Sequence, residues 1–91
     1  AVMHVPPVRA TWHGAIDIRE KFLPYLNGAG IDIMLSGHLH KHIYIPPGQD
    51  GCDFPVLINS NKHVLITTVE DGKTVVKVKD GAGKLVEEIE L

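Results

Sequence analysis

Residues 31–40 read Ile-Asp-Ile-Met-Leu-Ser-Gly-His-Leu-His, an apolar run that leads directly into a glycine and two histidines. A short apolar run that follows a glycine-rich turn, here Asn-Gly-Ala-Gly at residues 27–30, is typical of a buried strand. Side chains that follow the carboxyl end of a parallel strand face the crevice where α/β proteins bind ligands. The stretch therefore predicts a strand over Ile31–Leu35 that delivers His38 and His40 to a functional site.

The residues before this strand predict a second strand and a helix. Val2–Val5 is a short apolar run that ends at two prolines, which give no ladder hydrogen bond. The intervening helix is predicted by the apolar residues Ile18, Phe22 and Leu26, which are four apart and share one face. Asp17 is the expected N-cap, and Pro24 predicts a kink or two short helical pieces. Strand, helix and strand in this order form a right-handed crossover, so Val2–Val5 and Ile31–Leu35 are expected to be parallel neighbours.

After residue 41 the helical period disappears and short β-rich runs take over. They are His42–Ile45, Val56–Ile58, Val64–Val69, Thr74–Lys79 and Leu85–Leu91. Glycine-containing turns separate them, which predicts an antiparallel meander. We expect an α/β fold with α+β character, in which one mixed sheet carries a single crossover helix and is extended by the C-terminal meander.

Composition excludes several classes of protein. The 91 residues are 44% hydrophobic and 22% charged, which fits one globular domain or part of one. No apolar run approaches the roughly 20 residues that cross a bilayer. A net charge of −2 provides no basic patch for nucleic acid. The chain starts with Ala1 inside an apolar run, so we expect a piece of a longer protein.

The six histidines are the residues most suited to chemistry. His4 closes the first strand, and parallel pairing of the two strands would bring it close to His38. A pair of imidazoles is a typical set of metal ligands, so a metal site is expected here, and imidazole together with carboxylate oxygen would suit Fe, Mn, Zn or Co. His42, His63 and Cys52 are interpreted as structural or exposed. Asp50 and Asp53 are interpreted as solvating a glycine-rich turn.

These residues resemble the C-terminal half of the calcineurin-like metallophosphoesterases, including the purple-acid-phosphatase branch. That half contains a strand that ends in a histidine followed by a proline, then a helix, and then an apolar strand that runs into Gly-His-x-His. Here the corresponding segments are Val2-Met3-His4-Val5-Pro6-Pro7, residues 17–26, and residues 31–40. The resemblance covers residues 1 to about 45 closely and the remainder loosely.

The resemblance implies that residues 1–91 are the C-terminal portion of a four-layer metallophosphoesterase sandwich. The parent would hydrolyse phosphate mono- or diesters with two divalent or trivalent metal ions (Fe, Mn, Zn or Co). His4 and His38 would bind one ion and His40 the other. His13, in Trp12-His13-Gly14, would serve catalysis by contacting the phosphate or by supporting the residues that do. The purple-acid-type loop favours an exported parent, although localisation stays open.

The family's Asp-x-His, Gly-Asp-x-x-Asp and Gly-Asn-His motifs do not occur in this sequence. The isolated chain is therefore expected to be inactive, and an unpartnered sheet edge is expected to cause dimerisation or strand exchange. Two alternatives stay open. One is a stand-alone metal-binding module built on His38, His40 and His42, and the other is a structural β-domain without chemistry.

Overall fold

The computed structural model describes residues 1–9 and 13–91. Its elements, in chain order, are β1 (Val2–Met3), α1 (His13–Lys21), α2 (Leu23–Leu26), β2 (Met34–Ser36), β3 (Ile43–Ile45), β4 (Val56–Ile58), β5 (His63–Glu70), β6 (Lys73–Asp80) and β7 (Leu85–Glu90). The fold is thus of mixed α and β content. No helix in the described ranges is long and apolar enough to span a membrane.

The first sheet is mixed and has the strand order β1-β2-β4-β3. β1 and β2 are parallel, as the crossover pattern predicts. β2 is also parallel to β4, and β4 is antiparallel to β3. The prediction that residues 56–58 belong to an antiparallel meander is therefore wrong. Val56, Leu57 and Ile58 are fully buried, because this strand lies inside the sheet with apolar layers on both faces.

The second sheet contains β5, β6 and β7 in that order, all antiparallel. Asp71 and Gly72 form the two-residue turn between β5 and β6, with φ of 50° and 76°. Positive φ at both positions is the type I′ geometry that matches the twist of a hairpin. The meander is therefore confirmed for these strands. The expectation of one continuous sheet is wrong, since the meander forms a sheet of its own.

Two apolar clusters make the chain a three-layer structure. The helices and loops cover one face of the first sheet through a cluster that includes Leu23, Phe54, Val56 and Ile58. The second sheet covers the opposite face through a cluster of Ile33, Leu57, Val76, Val78 and Ile89. Residues 56–58 alternate between the two clusters, as a strand with period two requires.

The two short helical pieces that Pro24 predicts are confirmed, because Pro24 cannot sit inside α1 but is tolerated in the first turn of α2. The helical region differs from the sequence-based expectation in two other ways. Asp17 is not an N-cap, since α1 already begins at His13. Phe22 is 55% exposed, and the helices are buried mainly through Ala15 and Leu23.

Candidate metal site

The carboxyl ends of β1 and β2 lie side by side and position the first two histidines. Met3 pairs with Ser36 in the parallel register. The amide of Gly37 then donates a hydrogen bond to the carbonyl of His4 at 2.9 Å, which continues the pairing by one residue. The chain therefore carries His4 and His38 to neighbouring positions although 34 residues separate them in sequence.

The side chains of His4 and His38 meet at this edge. His38 Nδ1 lies 3.3 Å from His4 Nε2. The two rings are nearly perpendicular, with centroids 5.2 Å apart and an interplanar angle of 85°. Both nitrogens therefore border one small volume next to the sheet edge.

The separation of these nitrogens fits a shared metal ion. Zinc binds histidine nitrogen at about 2.0–2.1 Å, and a tetrahedral angle between two such bonds puts the nitrogens about 3.3 Å apart. A hydrogen bond between two neutral imidazoles also allows this separation, although it is longer than most. The pair is thus suitable as two ligands of one ion. The described residues contain no group of three His, Cys, Asp or Glu side chains that could hold a metal.

The backbone of the histidine loop is in an unusual conformation. His38 and His40 have φ of 70° and 57°. Positive φ is uncommon outside glycine, and such conformations concentrate at functional sites. Leu39, between them, packs against the apolar cluster under the helices and anchors the loop. Gly37 is less constrained than its place in the motif suggests, because a Cβ there would make only ordinary contacts, 3.8 Å from His4.

The histidine loop borders a cleft of about 750 Å³ that lies between the first sheet and β5. His4, His38 and His40 line it together. The loop after β4 lines it as well, through Asn59, Ser60 and Asn61. The backbone N–H of Asn59 donates a hydrogen bond to the carbonyl of Ser36 at 2.7 Å, which joins the end of β4 to the end of β2. Three parallel strands therefore open into one cleft.

The loop after β4 was missed by the sequence analysis. The sequence does contain a signal for this loop, because residues 56–58 are a wholly apolar run, as in an interior strand. An interior strand parallel to β2 would place Asn59 beside Gly37. Beneath the cleft, Ser36 Oγ, Asn59 Oδ1 and His63 Nδ1 are buried and have no hydrogen-bond partner within the described residues. Buried polar atoms without partners cost stability, so their concentration here fits a functional role for this region.

His42 does not line the cleft with His4, His38 and His40. His42 Nε2 contacts a carboxylate oxygen of Glu87 on β7, and its ring packs edge-to-face on His63, with centroids 5.7 Å apart. His63, for which a structural or exposed role is expected, also lines the cleft. His42 thus links the two sheets instead of extending the pair of His38 and His40.

The remaining candidates lie elsewhere. Asp50 forms an ion pair with Arg9 at 2.6 Å, and Asp53 accepts a hydrogen bond from the amide of Gly28 at 2.7 Å. The two aspartates hold loops together, so the expectation that they only solvate a turn is wrong. His13 is the first residue of α1, but its side chain, together with residues 10–12 of the predicted Trp12-His13-Gly14 loop, lies outside the described part of the chain.

No protein-family model, curated protein or solved structure matches this chain.

Proposed function

We propose that this chain is the C-terminal portion of a metal-dependent phosphoesterase that hydrolyses phosphate mono- or diesters. The observation that carries the proposal is the 3.3 Å separation of His4 Nε2 and His38 Nδ1 at the carboxyl ends of two parallel strands. The histidine at the end of the first strand lies next to the first histidine of the Gly-His-x-His loop. Two ligands of one metal ion must lie this close together.

In this proposal His4 and His38 hold one ion and His40 holds a second across the same cleft. The ions, which can be Fe, Mn, Zn or Co, would polarise the phosphate oxygens and supply the attacking hydroxide. Asn61 also lines the cleft, where its side-chain amide could donate a hydrogen bond to a bound phosphate, whereas the side-chain amide of Asn59 already donates to the carbonyl of His63 at 3.0 Å. His13, at the start of α1, remains the proposed additional phosphate contact.

The described residues supply imidazole side chains to the cleft, but they contain no group of three His, Cys, Asp or Glu side chains that could hold a metal. Two dications held a few ångströms apart repel each other unless anionic ligands offset their charge. The proposal therefore places the carboxylate ligands in a part of the domain outside these 91 residues, within a four-layer sandwich. The isolated chain is then a half-site that binds at most one ion weakly.

The alternative of a stand-alone module on His38, His40 and His42 is disfavoured by the contacts of His42. Its ring is engaged by Glu87 and His63 and does not line the cleft. A metal-binding module of this kind would require that ring to leave both partners.

The test is a phosphatase assay on the full-length protein that contains this chain, with p-nitrophenyl phosphate and its bis-ester as substrates and added Mn²⁺ or Zn²⁺. His38→Ala and His40→Ala should each remove most of the turnover with little change in melting temperature. His42→Gln, which keeps a donor for Glu87, is the matched control and should stay active. A fully active His38→Ala protein, or turnover by the isolated 91 residues above the free-metal background, would refute the proposal.

A further inference from the structure

The four edge strands of the two sheets differ in length and charge. β1 has two residues and β3 has three, so neither offers a long row of free backbone groups. β7 has six residues, but it carries Glu87, Glu88 and Glu90, and a register shift interrupts its pairing with β6. Short length, charge and bulges are the features that protect a sheet edge from pairing with another chain.

β5 lacks all of these protections. It has eight residues, and no charged side chain lies between His63 and Glu70. Val64, Ile66 and Val69 are 57%, 43% and 69% exposed. An edge strand whose central residues are uncharged and mostly β-branched, without proline or glycine, is the kind of segment that adds to a second sheet.

We propose that β5 is a dimerisation edge on which a second copy of this chain pairs its own β5, antiparallel, about a two-fold axis at Ile66. The occupant is a second copy because the strand is complementary to itself in this register. Ile66 then lies opposite Ile66 of the partner subunit. Val64 lies opposite Thr68 of the partner subunit, so Val64 and Ile66 of both copies gain cross-strand neighbours on one face of the sheet.

The charges at the two ends of the strand match in the same register. Lys62 lies directly before β5, Glu70 ends it, and both are exposed. Antiparallel pairing centred on Ile66 puts Lys62 opposite Glu70 of the partner subunit, and the two-fold axis repeats this pair at the other end. Opposite charges at directly opposed positions stabilise an antiparallel pair.

The free backbone groups of β5 also fit this register. Glu70 and Lys73 close the two-residue hairpin and exchange backbone hydrogen bonds. Because bonded and non-bonded pairs alternate in an antiparallel ladder, the even-numbered residues of β5 bond to β6. The odd-numbered residues direct their N–H and C=O groups away from β6. Centring on Ile66 sets odd-numbered residues opposite one another, as new ladder bonds require. The result is a continuous six-stranded sheet across the dimer. Because Val64 and Leu65 line the cleft, the two clefts flank the axis.

The test is sedimentation equilibrium of the 91-residue chain from micromolar to near-millimolar concentration, in EDTA so that surface histidines cannot bridge copies through metal. We expect a reversible dimer that Ile66→Lys abolishes, because two like charges would meet on the axis. Val86→Lys is the matched control: Val86 is 45% exposed on β7, at the other edge of the same sheet, and this variant should dimerise as the wild type does.

A charge swap tests the register. Lys62→Glu and Glu70→Lys should each weaken dimerisation about tenfold, since each turns two attractive pairs into repulsive ones, and the double variant should restore it. A strictly monomeric wild type at near-millimolar concentration would overturn the proposal. A dimer that withstands Ile66→Lys, or charge variants that fail to rescue each other, would overturn the assigned edge and register. Circular dichroism of each variant establishes that a lost dimer is not a lost fold.

Discussion

Zinc should stabilise the isolated chain through His4 and His38. Structural zinc sites with four ligands contribute about 10–16 kcal/mol, so two imidazoles of such a set provide about half, with a Kd on the order of 10⁻⁴ to 10⁻⁶ M. At tenfold that concentration the native state gains about 1.4 kcal/mol. For a domain of this size the gain raises Tm by roughly 6–11 °C, which differential scanning fluorimetry resolves.

The two histidines should act as a unit in this assay. His4→Ala or His38→Ala removes one of two ligands and should abolish the zinc-dependent shift, while the double variant should lose no more than either single one. His42→Gln should keep the full shift, because His42 lies with Glu87 outside the cleft. An undiminished shift in His4→Ala would show that the 3.3 Å approach of the two rings does not form a ligand pair.

Three further outcomes follow from burial and backbone geometry. Leu57→Ala should destabilise the chain by about 2–5 kcal/mol in urea unfolding, since Leu57 is fully buried between the two sheets, and a loss below 1 kcal/mol would contradict that packing. His40→Gly should be as stable as the wild type or up to about 1 kcal/mol more stable, because glycine adopts the φ of 57° freely, and a clear loss of stability would contradict the strain. Burial, reinforced by Asp50 and Asp53, raises the pKa of the Cys52 thiol above its ordinary value of 9.0. The free energy of unfolding should therefore stay constant below pH 9.0 and fall above it, because the thiol ionises there in the unfolded chain but not in the folded one. If the urea midpoint of Cys52→Ala falls with pH as much as that of the wild type, the assignment to Cys52 is wrong.

The parts of the fold that local patterns determine were predictable. The alternation of Val76 and Val78 with lysines predicts a strand with one wet face, and both valines are fully buried while Lys77 is exposed. The Asp-Gly dipeptide at residues 71–72 predicts the hairpin that the structure contains. The crossover rule predicts the parallel neighbours β1 and β2 from the order of elements alone.

The position of β4 was not predictable in the same way. Its three apolar residues fit a parallel or an antiparallel strand equally, and a 10-residue connection from β3, residues 46–55, allows either direction. Tertiary packing decides, because only an interior place in the first sheet buries Val56, Leu57 and Ile58 on both faces at once. Treating these residues as part of the meander also removed Asn59, Ser60 and Asn61 from the candidate site.

The histidine loop shows why part of the site was visible in the sequence and part was not. His4 and His38 were predictable because each follows a recognisable strand, and parallel strands end at the same edge. The positive φ of His38 and His40 was not predicted, because this conformation is uncommon for every residue except glycine, even though histidine adopts it more often than most. That conformation exists because Leu39 is held in the core on one side while the pairing of Gly37 with His4 fixes the other. The surrounding packing thus maintains a strained loop that local sequence would not adopt, and this strain favours a functional role for the two histidines over a role as simple strand caps.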